Sequence, residues 1–199
     1  MDTNDTTPKD AAEPTVDAQP DTDSKNGGVL ESANTIRAAV FGIQDGIVST
    51  FGIVMGVAGA QISGEAIVIA GIAGLASGAM SMAAGEYVSV QTQRELLSVG
   101  AEISDEENVS PLRAAAANGG LFIGGGFLPL LPFLISEGLP AIVASVLLSV
   151  LALFVTGAVL TRLTKRSPVR SGMRMLIIGG GAGIVGYLIG TVFGTLFGV

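Results

Sequence analysis

Residues 36–59 read Ile-Arg-Ala-Ala-Val-Phe-Gly-Ile-Gln-Asp-Gly-Ile-Val-Ser-Thr-Phe-Gly-Ile-Val-Met-Gly-Val-Ala-Gly, almost wholly apolar, with Arg37 at one end and Asp45 near the middle. About 20 helical residues cross the hydrocarbon core of a bilayer, and a helix satisfies its own backbone polar groups there. This run is long enough to do so. Four more runs of similar character follow, near 66–89, 114–136, 140–162 and 174–198. The sequence therefore predicts an all-α membrane protein with five transmembrane helices in a domain spanning 35–199. Pro129 and Pro132 fall in the third run and are tolerable where neighbouring groups compensate the backbone. The Ser136–Pro140 connection is short, so the third and fourth helices are expected to be antiparallel neighbours.

The composition agrees. Of 199 residues, 49% are apolar and 14% charged, against about 25% charged in a soluble domain, and the mean hydropathy is +0.63. The net charge of −7 is not spread over the chain. Residues 1–34 hold eight acids (Asp2, Asp5, Asp10, Glu13, Asp17, Asp21, Asp23, Glu31) against Lys9 and Lys25. That stretch has no apolar run and is expected to be a disordered acidic cytoplasmic tail. It lacks the basic and apolar regions of a secretory signal.

The ten basic residues orient the bundle. With five spans, the N-terminal segment, the 90–113 connection and the 163–173 connection share one side. That side and its span ends take Lys9, Lys25, Arg37, Arg94, Arg113, Arg162, Lys165, Arg166, Arg170 and Arg174. The other side takes none. The positive-inside rule then predicts an N-in, C-out topology.

There is no Cys, His or Trp. Disulfides, thiolate sites and cysteine nucleophiles are excluded, as are the commonest metal ligand and the usual general base. No base, nucleophile and orienting group stand in a recognisable arrangement, so no enzyme and no cofactor is expected. Nothing suggests a nucleic-acid partner. The glycines fall four apart in several places: Gly42/Gly46, Gly52/Gly56, Gly74/Gly78, and the column Gly186, Gly190, Gly194, Gly198. Small residues at this spacing let helices approach closely in lipid. The triplets Gly124–Gly126 and Gly179–Gly181 lie inside apolar runs with no Lys-Ser/Thr after them, and do not read as phosphate loops.

The intramembrane polar groups carry the function. A carboxylate at the middle of a span costs at least about 2.5 kcal/mol on insertion scales, so Asp45 should face the bundle interior or water and serve a cation or proton. In the second run, Met82 and Glu86 are four apart and share a helix face, with Gly74 and Gly78 in the same column. Met80 lies close by. The expected line runs from Glu86 at the inner mouth, through a methionine, to Asp45. Carboxylates with a thioether and no Cys or His suit Fe²⁺ or Mn²⁺ better than zinc or copper.

The run Asp45-Gly-Ile-Val-Ser-Thr50, followed by Gly52 and by Gly56-Val-Ala-Gly-Ala60, closely resembles the first helix of the vacuolar iron transporter (VIT) family. So does the run Ser77-Gly-Ala-Met-Ser-Met-Ala-Ala-Gly-Glu-Tyr-Val-Ser-Val-Gln-Thr-Gln-Arg-Glu95 in the second span. The Pro-rich third span, Gly124-Gly-Gly-Phe-Leu-Pro-Leu-Leu-Pro-Phe133, is similar to that family's third helix. The resemblance covers 36–199. It implies a homodimer of five-helix protomers exporting Fe²⁺, and also Mn²⁺, from the cytosol by proton antiport. It also implies that Asp45, Met80 or Met82, and Glu86 touch the metal. One departure stands out. The long cytosolic metal-collecting insertion after the second helix is reduced here to about 90–113, which retains Glu95, Glu102, Asp105, Glu106 and Glu107. Glu102, Glu106 and Glu107 are weaker metal candidates, since charge runs of this kind are ordinarily a solvated loop.

Two other readings compete: a secondary transporter of a small organic solute, and a non-transport membrane scaffold with glycine columns as interaction faces. The solute reading requires a broad cavity with hydrogen-bonding side chains, and the scaffold leaves Asp45 without a task. The expected location is a prokaryotic plasma membrane, with a vacuolar membrane as the alternative.

Overall fold

A computed structural model describes residues 22–99, 110–164 and 167–198. The chain forms five helices: α1 (Thr22–Gly59), α2 (Gly64–Ser98), α3 (Pro111–Ile135), α4 (Gly138–Thr164) and α5 (Pro168–Phe197). All five contain a stretch long and apolar enough to cross a membrane.

Helix ends differ from the sequence expectation in three places. The first helix begins at Thr22, inside the 1–34 stretch read as a tail. No proline lies between Thr22 and Gly59, and a nucleated helix gains one hydrogen bond for each residue it adds. Residues 1–21 lie outside the described part. The second helix continues to Ser98, so Arg94 and Glu95 stand on a helix rather than on a connection. The fifth begins at Pro168 and carries Arg170 and Arg174 on its first turns. Proline is favoured at that opening position because its missing N–H is unneeded there; Pro111 opens α3 in the same way. Ser63 caps α2 by accepting from the Ala66 amide at 3.4 Å. The α1–α2 turn passes through Gln61 at φ 57°, and α4 starts from Gly138 at φ +66°.

The bundle is built around α1, which packs against α2, α3, α4 and α5. Towards α3, a Cβ at Gly46 would overlap the Phe122 carbonyl, and one at Gly125 would overlap the Ile43 carbonyl. Towards α5, a Cβ at Gly186 would strike the Gly52 carbonyl, one at Gly190 the Gly56 carbonyl and one at Gly194 the Ala60 backbone. These glycines are where backbone meets backbone. Gly198 departs from the expected column: it is the left-handed cap of α5, its amide donating to the Gly194 carbonyl at 3.0 Å.

Apolar clusters fill the remaining space. One joins Val54, Ala58, Ile67, Leu130, Phe133 and Ala141, another Ile47, Leu153 and Met175. The Pro-containing half of α3 is tied to α4 by Ser145, whose hydroxyl donates to the Pro129 carbonyl at 2.7 Å. Many large apolar side chains point outward, such as Ile135 at 85% and Ile177 at 70% exposure. Lipid accepts such a surface, because hydrocarbon is as apolar as the side chains.

The close approaches generate a test. Gly46→Val and Gly190→Val should lower the melting temperature in detergent by about 5–10 °C or prevent folding, since overpacking costs about 1–3 kcal/mol or more. Gly124→Ala and Gly180→Ala, where an added Cβ meets nothing, should be at least as stable as the natural chain, since alanine is the better helix former.

Candidate functional site

The contact between α1 and α3 decides where Asp45 points. Gly42 and Gly46 both press on α3, at Asn118 and Phe122. Successive helical residues turn by about 100°, so Asp45 leaves that edge for the stripe it shares with Phe41 and Ser49. Phe41 is 54% exposed, while Asp45 and Ser49 are half-buried. The Ser49 hydroxyl donates to Asp45 Oδ1 at 3.2 Å. Asp45 is therefore held by a neutral donor one turn along its own helix, on a face that the rest of the chain covers only in part.

On α2, Glu86 and Met82 face α3. Met82 packs against the cluster of Leu75, Ala79 and Phe122. Glu86 is half-buried and accepts from Asn118 Nδ2 at 3.3 Å. The contacts stack in layers. Glu86, Asn118 and Gly42 lie at one depth. One turn along, Met82, Phe122 and Gly46 lie at the next, with Asp45 adjoining Gly46 in sequence. Met80, about 200° around the helix from Met82, is 76% exposed and does not share the face of Met82 and Glu86.

Asn118 was not singled out by the sequence reading. The signal was available: it is a lone amide in the apolar run of α3, and polar groups at membrane depth are uncommon. It is 2% exposed, and Thr50, at the end of the Asp45 motif, is 1% exposed. Asn118 Oδ1 and Thr50 Oγ1 are both buried without a hydrogen-bond partner. An unmet buried acceptor costs about 1–3 kcal/mol.

The remaining candidates are less engaged. Glu95 is exposed on the last turns of α2, where Gln91 Nε2 donates to its Oε1 at 3.1 Å. Glu102, Glu106 and Glu107 lie outside the described residues, as does Asp105. Among the described residues no three Asp or Glu side chains gather closely enough to hold a metal ion. Two glycines of the α3 triplet are packing surface, Gly125 against Ile43 and Gly126 against Thr50 and Leu75, while Gly124 faces open space. A cavity of about 470 Å³ lies between α1, α4 and α5, with Phe51, Met55, Ile142, Val150, Gly183 and Tyr187 in its wall. None of the described residues lining it is charged.

The geometry thus offers two half-buried carboxylates, each held by an uncharged donor, and one thioether a turn from Glu86 on the same face of α2. Comparison with known proteins gives the family. The family model for the VIT family matches residues 36–106 and 97–191. The chain is 38% identical over 150 residues to "Vacuolar iron transporter homolog 2" of Arabidopsis thaliana, covering 72% of this chain and 76% of that protein. It is 40% identical over 156 residues to "Vacuolar iron transporter homolog 5" of Oryza sativa subsp. japonica, covering 74% of each. It is 34% identical over 165 residues to "VIT-like transporter 1b" of Glycine max, covering 75% of this chain and 72% of that protein. The relatives' names are those of transporters and not of enzymes. With a family model across most of the helical part and relatives of this identity, the chain belongs to the VIT family.

Proposed function

We propose that this chain moves divalent metal, Fe²⁺ and also Mn²⁺, out of the cytosol across its membrane in exchange for protons. The observation that carries the reading is Asp45: a half-buried carboxylate inside a span, bonded among the described residues only to a neutral hydroxyl. Its negative charge is left for a cation or a proton. The relatives' names supply iron. Glu86 receives the ion from the cytosolic side, Met82 offers a soft contact one turn deeper, and Asp45 alternates between metal and proton. Carboxylate oxygens with a single thioether favour Fe²⁺ and Mn²⁺ over softer ions. The apolar cavity beside α1, α4 and α5, without charged side chains among its described lining, gives an organic solute little to hydrogen-bond.

Transport is read as the work of a homodimer with the N-terminus in the cytosol. The stripe of Phe41, Asp45 and Ser49 is incompletely covered, and a lone carboxylate facing lipid is unfavourable. A two-fold partner is self-complementary and would set a second Asp45 and Ser49 across from the first. Two carboxylates and two hydroxyls then share what one protomer lacks. The clustering of all ten basic residues on one side supports the orientation. The membrane is proposed to be the plasma membrane. The relatives' names point to the vacuole, and fractionation of cells expressing a tagged chain separates the two.

Three experiments test this. In proteoliposomes under a fixed pH gradient, Asp45→Ala and Asp45→Asn should cut Fe²⁺ uptake at least about tenfold; uptake at the natural rate would overturn the mechanism. Met82→Leu should raise the KM for Fe²⁺ several-fold, and Met80→Leu should leave it within about twofold. Because the chain has no cysteine, single substitutions report topology and assembly directly. Ser110→Cys should label from the cytosolic side and Ser63→Cys from the other, and Phe41→Cys should cross-link two copies where Ile177→Cys does not.

A further inference from the structure

We infer that Asn118 is a positioning residue for metal capture, a buried neutral amide on α3 that aims the Glu86 carboxylate without cancelling its charge. The inference rests on the transport reading above and adds a residue to it.

Asn118 is 2% exposed and lies on a face of α3 built otherwise from Ala114, Ala115, Gly119 and Phe122, where an apolar side chain would pack at no polar cost. Its Nδ2 donates to Glu86 Oε2 at 3.3 Å, and its Oδ1 is buried without a donor. Opposite stands Gly42 of α1, where an added Cβ would overlap the Asn118 carbonyl and lie 2.7 Å from Oδ1. With no side chain at Gly42, α1 comes against both the main chain and the amide of Asn118. An amide that leaves half its hydrogen-bonding capacity unmet is accounted for by what the other half does, and that half holds Glu86.

The chemistry explains why the residue is Asn. A Lys or Arg here would neutralise Glu86 and repel a divalent cation. An Asp would set a second negative charge against the first. A Leu would leave Glu86 to sample rotamers in apolar surroundings with no donor to select one. The amide gives Glu86 one N–H and brings no charge, so the carboxylate is oriented without being paired to a cation. Loss of the donor therefore weakens capture at Glu86, and leaves the step at Asp45, one turn deeper, unchanged.

The test is a double-mutant cycle on the full chain in proteoliposomes, with Fe²⁺ uptake followed under anaerobic conditions. Asn118→Leu should raise the KM for Fe²⁺ about tenfold while kcat stays within about twofold, because a hydrogen bond to a charged group is lost. In a Glu86→Gln background, where no carboxylate remains to be aimed, the same substitution should change KM by less than about twofold, since residues acting through one another are not additive. Asn118→Ala serves in both backgrounds if the Leu variant does not fold. An equal rise in both backgrounds would mean that Asn118 acts through packing alone and would overturn the inference. So would a KM unmoved in the natural background. Failure of the transport reading registers separately, as uptake insensitive to Asp45.

Discussion

Backbone-to-backbone contact along α1 is the constraint from which the rest of the molecule follows. Lipid provides no hydrophobic drive between helices, so the bundle must gain its cohesion from proximity. Gly42 and Gly46 bring one stretch of α1 against α3, while Gly52 and Gly56 bring the next against α5 through Gly186 and Gly190. With both edges engaged, the rotation of α1 about its axis is fixed. The direction of Asp45 is fixed with it, since the residue is flanked by two glycines that cannot move off α3. A single larger residue in either contact would turn or displace the helix and redirect the carboxylate.

The second theme is how the membrane-embedded charges are held. Asp45 takes its hydrogen bond from Ser49 and Glu86 takes its own from Asn118. Both donors are neutral. A salt bridge would stabilise each carboxylate more strongly, but would also satisfy it, and a satisfied carboxylate has little affinity left for a passing ion. Neutral donors lower the cost of keeping a carboxylate at depth and preserve its field.

Much of this was legible in the sequence, for definite reasons. Five spans could be read because about 20 apolar residues in succession have few other uses. Glycines four residues apart signalled close helix approach, and the structure puts several of them at the α1–α5 contact, yet Gly198 in the same column is a cap, since packing and capping glycines look alike in one dimension. Helix ends were less legible. The polar residues Gln91 to Ser98 extend α2 past its apolar stretch, and hydropathy is silent about a helix that continues outside hydrocarbon. Met80 and Met82 could not be separated by motif, whereas two residues on a helix differ by about 200°, and that angle puts Met82 with Glu86. Asn118 is not legible from the sequence in this way, because an amide does its work without ionising and stands in no motif with Glu86, 32 positions away.

The bond between Glu86 and Asn118 also has a meaning in time. Its partners stand 32 positions apart in the chain, on consecutive helices, so the bond closes only once both helices are in place. In a chain whose helices enter the bilayer in order, the acid on α2 would precede its donor on α3, and an unpartnered carboxylate at depth is costly. Pairing with α3 would be what relieves it.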